Sequence, residues 1–164
     1  MQAEFDNRDR WLVPLSLWGS FLANDGEEWL TMAPTTGLPQ THVDVGIATM
    51  GVLLGAATLD GIRTRGRGWL YQDVQLVFGA HGVGHIAGSV LLRRYTTGVA
   101  TAPTVVLPQW WWSTTRLRRT GVPRTSHLPR AMAVTGAWLA MAHALGAWAA
   151  RRDRSESGVR SKRW

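Results

Sequence analysis

AMAVTGAWLAMAHALGAWAA, residues 131–150, decides the fold. Its Ala, Gly, Trp, Leu, Met and Val fall on every face of a helix, and His143 is its one ionisable group. A surface helix of a soluble protein keeps its apolar residues to one stripe, whereas a helix apolar all round is deeply buried or sits in lipid. Four further stretches read the same way: 11–24, 45–59, 74–92 and 95–115. A bilayer span needs about 20 apolar residues as a helix. Stretches 74–92, 95–115 and 131–150 approach that length, and 11–24 and 45–59 reach it once a few polar residues are admitted. The pattern predicts an all-α polytopic membrane helix bundle of four to five transmembrane helices, a multi-pass integral protein of the cell membrane. Pro103 and Pro108 interrupt the fourth segment, which reads as a kinked span or a re-entrant piece. Residues 1–150 form the single transmembrane domain. Residues 151–164, RRDRSESGVRSKRW, read as a basic, disordered tail.

Composition supports lipid as the surroundings. Of the 164 residues 45% are hydrophobic and 18% charged, against about 25% charged in ordinary soluble domains. A mean hydropathy of −0.09 leaves a soluble bundle with Arg-rich loops as the alternative. Two features weigh against it. Trp11, Trp29, Trp69, Trp110 to Trp112 and Trp148 fall near segment ends, where indoles favour the membrane–water interface. Gly82, Gly84, Gly88, Ala140, Ala142 and Ala144 suit close helix packing in lipid. The first ten residues mix Arg8 and Arg10 with Glu4, Asp6 and Asp9, so a positive secretory start is missing and residues 11–24 read as a retained helix.

The net charge is +7, from 18 Lys+Arg against 11 Asp+Glu, and Lys162 is the single lysine. The arginines cluster between the apolar segments. Their partners are expected to be membrane lipids, and no motif supports a nucleic acid. With five spans, 10 basic residues fall on the N-terminal side and 8 on the other, a bias too small to orient the chain. The absence of Cys excludes a disulfide framework, a zinc finger, an iron–sulfur centre and thiol catalysis. No nucleotide-binding loop is present, which excludes an ATP-driven pump. The sequence sets no oligomeric state.

Ionisable groups inside spans are costly, so each one suggests function. Asn24, Glu27 and Glu28 stand at i, i+3 and i+4 and share one helix face. Two adjacent carboxylates there need a cation, a base or a donor network. His81 and His85 at i, i+4 also share a face, as in helical metal sites. His143 has value if it faces these groups. His42 and His127 read as belonging to connections.

Residues 20–33, SFLANDGEEWLTMA, and 78–102, FGAHGVGHIAGSVLLRRYTTGVATA, resemble the membrane protein family with a His-x-x-Glu-Glu motif, the HXXEE domain family. Its pattern continues with a helical His-x-x-x-His and then Arg-Arg-Tyr-Thr-Pro-Gly-Val-x-Thr-Ala. Glu27, Glu28, His81, His85, Arg93, Arg94, Tyr95, Thr96, Gly98, Val99, Thr101 and Ala102 stand at those places. Asn24 replaces the first His, and Thr97 replaces the Pro. Asn can accept or donate a hydrogen bond but cannot shuttle a proton near neutral pH. The resemblance implies several hydrophobic helices and a site, and it assigns no reaction.

Three functions remain open. The favoured one is a small metal-dependent membrane enzyme acting on a hydrophobic small molecule. Glu28, His81 and His85 would be ligands, Glu27 a further ligand or general base and His143 a completing ligand. Imidazole with carboxylate suits Zn, Fe or Mn. The second is a metal-free acid–base isomerase or cyclase of an isoprenoid-type substrate. Glu27 and Glu28 would act there, Asn24 would orient them, and Trp18, Trp29 and Trp138 would face a carbocation. The third is a non-enzymatic cation or proton carrier. Five His exclude the eight-His arrangement of membrane desaturases.

Overall fold

The computed structural model describes residues 4–160. Its described residues form five α-helices and no strand: α1 (Asn7–Thr36), α2 (Gln40–Thr64), α3 (Trp69–Leu92), α4 (Leu107–Arg119) and α5 (Leu128–Arg160). Local chemistry sets the boundaries. Asp6 and Asp9 form a capping box at the start of α1, and Gly37, left-handed at φ 75°, closes its end. Pro39 precedes α2. The buried Asp73 carboxylate accepts from the backbone N–H of His127 at 2.8 Å and from Arg130 Nε at 2.6 Å, so it caps α5 from a neighbouring helix.

The fourth segment is distorted where its prolines fall. Ala102–Val106 form a π-helical turn that runs straight into α4. Pro108 has no N–H for the residue one turn back, and a wider turn relieves that loss. Segment 95–115 is therefore a loop, a π turn and a short helix.

Consecutive helices run up and down. α2 is central and packs against α1, α3 and α5, while α4 packs against α1 and α3. One end of the bundle is fastened by Arg116 on Asp9, with two 2.8 Å bonds, and by Arg10 Nε on the Ile62 carbonyl. Thr41 Oγ1 donates to Asp153 at the other end. Phe21, Leu53, Leu54, Tyr71, Val74 and Phe78 belong to the core between helices. Gly61 allows three helices to meet closely: a Cβ there would lie 2.8 Å from the Tyr71 ring and 2.9 Å from Pro14.

α2, α3 and α5 are each long and apolar enough to cross a membrane. In their most apolar stretches only 33%, 28% and 22% of residues are buried within the bundle. Their apolar surface therefore faces outward, as Val83, Val90, Leu91, Met132 and Leu145 do. α1 has the length but carries Asp25, Glu27 and Glu28 in its second half.

Two boundaries differ from the sequence reading. α5 does not stop at residue 150 but continues through Arg160. Residues 161–164 of the basic tail lie outside the described residues. His42 is not in a connection, since α2 begins at Gln40.

Candidate metal centre

The second halves of α1 and α3 bring the two motifs together. His81 and His85 project from one side of α3, with their Nε2 atoms 2.7 Å apart. Glu28 Oε1 of α1 lies 2.9 Å from His85 Nε2 and 3.4 Å from His81 Nε2. Among the described residues these three form a group whose ligand atoms all lie within 4.8 Å of one another. A neutral imidazole has one N–H and one lone pair, and a carboxylate has lone pairs only. Three such atoms converging on one point could hold a shared cation. A tetrahedral ion with ligand bonds of about 2.0–2.1 Å separates its ligands by roughly 3.3 Å. The observed separations of 2.7, 2.9 and 3.4 Å bracket that value, so the donor set fits a small divalent metal.

Asn24, fully buried, stands beside the triangle. Its Nδ2 donates to Glu28 Oε1 at 3.2 Å, and its Oδ1 accepts from Thr101 Oγ1 at 3.1 Å. The residue found in place of the family's first His therefore hydrogen-bonds Glu28.

Glu27 points elsewhere. Its two oxygens accept from the backbone N–H of Ala100 at 3.1 Å, the N–H of Thr101 at 2.8 Å, Thr101 Oγ1 at 2.7 Å and the Tyr95 hydroxyl. Four donors meet an acceptor-only group, and Glu27 anchors the 93–101 loop instead of joining the triangle. That loop also backs the donors. Gly98, at φ 78°, lies so close to His85 that a Cβ would sit 2.5 Å from the imidazole. Thr96 Oγ1 donates to the His85 carbonyl at 3.3 Å. Thr97, where the family has Pro, bonds Thr31 of α1 through its hydroxyl at 2.8 Å.

An apolar cavity of about 230 Å³ opens beside the triangle. Phe21, Leu53, Leu54, Val74 and Phe78 line its depth, with Asp25, Glu28 and His81 on one wall. A smaller space of about 70 Å³ lies on the far side of Asp25 and Glu28. His143 lines it and is not a member of the triangle. Its Nδ1 lies 3.1 Å from His42 Nε2.

Of the residues that local spacing singles out, the structure brings Asn24, Glu28, His81 and His85 together. Local spacing missed Asp25, buried on the cavity wall, and the pairing of His42 with His143. Tyr95 and Thr101 were visible only through the family pattern. None of Trp18, Trp29 and Trp138 lines the cavity. Trp18 packs on Phe21 and on Gly51 and Gly55 of α2, Trp29 Nε1 donates to Asp44, and Trp138 Nε1 donates to the Thr49 carbonyl. Helix packing accounts for all three.

A family model described as a protein of unknown function with HXXEE motif matches residues 17–113, more than half the chain. Neither the curated proteins nor the solved structures contain a match.

Proposed function

This chain belongs to the HXXEE family, and from that premise we propose that it is a multi-pass membrane enzyme that holds a divalent metal and acts on a hydrophobic small molecule. The observation that carries the reading is the triangle of Glu28, His81 and His85. Zn, Fe and Mn all suit a two-imidazole, one-carboxylate set. The metal, when bound, supplies a Lewis acid that polarises a substrate oxygen or activates a water. The chain's own residues do the rest. Glu28 is aimed by Asn24 and His85 is backed by Gly98. Glu27 ties the covering loop to α1, and the apolar cavity keeps bulk water from the reacting group.

The hydrogen bonding weighs on the metal-free alternative. Glu27 is engaged by four donors, so acid–base work would fall to Glu28 and to Asp25 on the cavity wall. The helices support the membrane setting by length and by their outward apolar faces. The test is elemental analysis of the purified protein in detergent, beside His81→Ala and Glu28→Ala. Near-stoichiometric metal lost in both variants is expected, and full metal content in His81→Ala overturns the reading.

A further inference from the structure

The apolar cavity is not sealed. Its inner lining is buried, but Met132, Gly136 and Leu139 of α5 are exposed along one edge, and His81 of α3 has a side chain 45% exposed opposite them. The mouth is therefore the seam between α3 and α5. The exposed α5 edge of that seam is apolar, with Met132 and Leu139. A histidine half-exposed in such a surface is anomalous unless something polar comes to it from the lipid side. Glu28 and His81 of the triangle line this mostly apolar space beside Asp25 and Thr135, and His85 stands behind them, its Nε2 2.7 Å from that of His81.

We infer that the cavity takes the hydrocarbon chain of a single-chain amphiphile that enters sideways from the bilayer between α3 and α5, its oxygen-bearing head reaching His81, His85 and Glu28. This rests on the metal reading for the head and on the cavity alone for the chain. Size sets the chain length. A dry apolar cavity of about 150 Å³ holds benzene, so about 230 Å³ accommodates roughly nine carbons. A two-chain phospholipid or a long polyisoprenoid is too large to be enclosed.

Gly136 provides the test. A Cβ there meets no heavy atom within 4 Å, so Gly136→Leu extends into the mouth without a backbone clash, and it favours helix. The full chain in lipid nanodiscs, loaded with cobalt(II), is titrated with acetohydroxamate and with n-alkyl hydroxamates up to ten carbons, followed by the cobalt visible spectrum. Both proteins see the same bilayer, so the ratio of their affinities cancels partitioning. Acetohydroxamate should bind the two equally, and the octyl compound should bind Gly136→Leu at least tenfold more weakly. Equal octyl affinity overturns the proposal.

A second readout does not need metal. A ten-carbon alcohol with a terminal diazirine, photolysed in the wild-type nanodisc, should label the residues lining the cavity, including Met132 and Leu139. Gly136→Leu should abolish that labelling. Labelling confined to other surfaces overturns the proposal. Cavity labelling without metal retention leaves the chain site standing and removes the metal from the proposed function.

Discussion

Asn24 is fully buried and joins two groups, Glu28 through its amide nitrogen and Thr101 through its oxygen. Groups that orient metal ligands are worth about 10- to 100-fold in metal affinity. Asn24→Ala should weaken metal binding by that factor and Asn24→His should restore it, as read by competition with a chelating dye. An unchanged affinity in Asn24→Ala would remove the orienting role. Tyr95 lies outside the helices, and partial burial together with the Glu27 carboxylate raises its ionisation above the ordinary value of about 10. A raised value means that the Tyr95–Glu27 contribution to stability is intact below about pH 10 and is lost as pH climbs beyond it. Tyr71 and Tyr95 are the chain's two tyrosines, so alkaline absorbance titration can follow them. Glu27→Gln should lower one midpoint, and identical titrations would break the link.

At the scale of elements, α5 is capped by a residue of α3. Removing the carboxylate in Asp73→Ala leaves the His127 N–H and Arg130 without their acceptor. A lost cap costs about 1–2 kcal/mol, so thermal unfolding in detergent should fall by several degrees; an unchanged midpoint would show that the cap contributes nothing. Element existence was legible because four of the five helices carry long apolar runs. The failures share one physical origin, since polar helical turns look like loops. His42 sits in the polar first turn of α2, ahead of the apolar run that starts at residue 45, and the Arg-rich last turns of α5 follow the run that ends at 150. The donor triangle was half legible. An i, i+4 spacing reveals His81 and His85 on one face, but only the fold brings Glu28 to them. Glu27's partners lie more than 65 residues away, beyond the reach of any local pattern.

Across the whole molecule, up-and-down connectivity puts the 37–39 and 93–101 connections at one end and the 65–68 and 120–127 connections at the other. The chain has no native cysteine, so single replacements report topology without background. Leu38→Cys and Ser126→Cys should react with a membrane-impermeant thiol reagent from opposite faces of intact cells or vesicles. Labelling of both from one face would refute the multi-pass arrangement. The donor triangle lies toward the 37–39 end, with Glu28 about 12 Å in from the end of α1 at 1.5 Å per residue. A helix turns about 100° per residue. Glu27 and Glu28 therefore point about 100° apart, with Asn24 angularly between them. One carboxylate reaches the loop and the next reaches α3. Because both ride on one stiff rod, a small axial rotation of α1 shifts loop and triangle together. Inserting a single residue between Asn24 and Glu27 would swing the carboxylates a quarter turn away from Asn24 and separate them from one or both of the walls they hold.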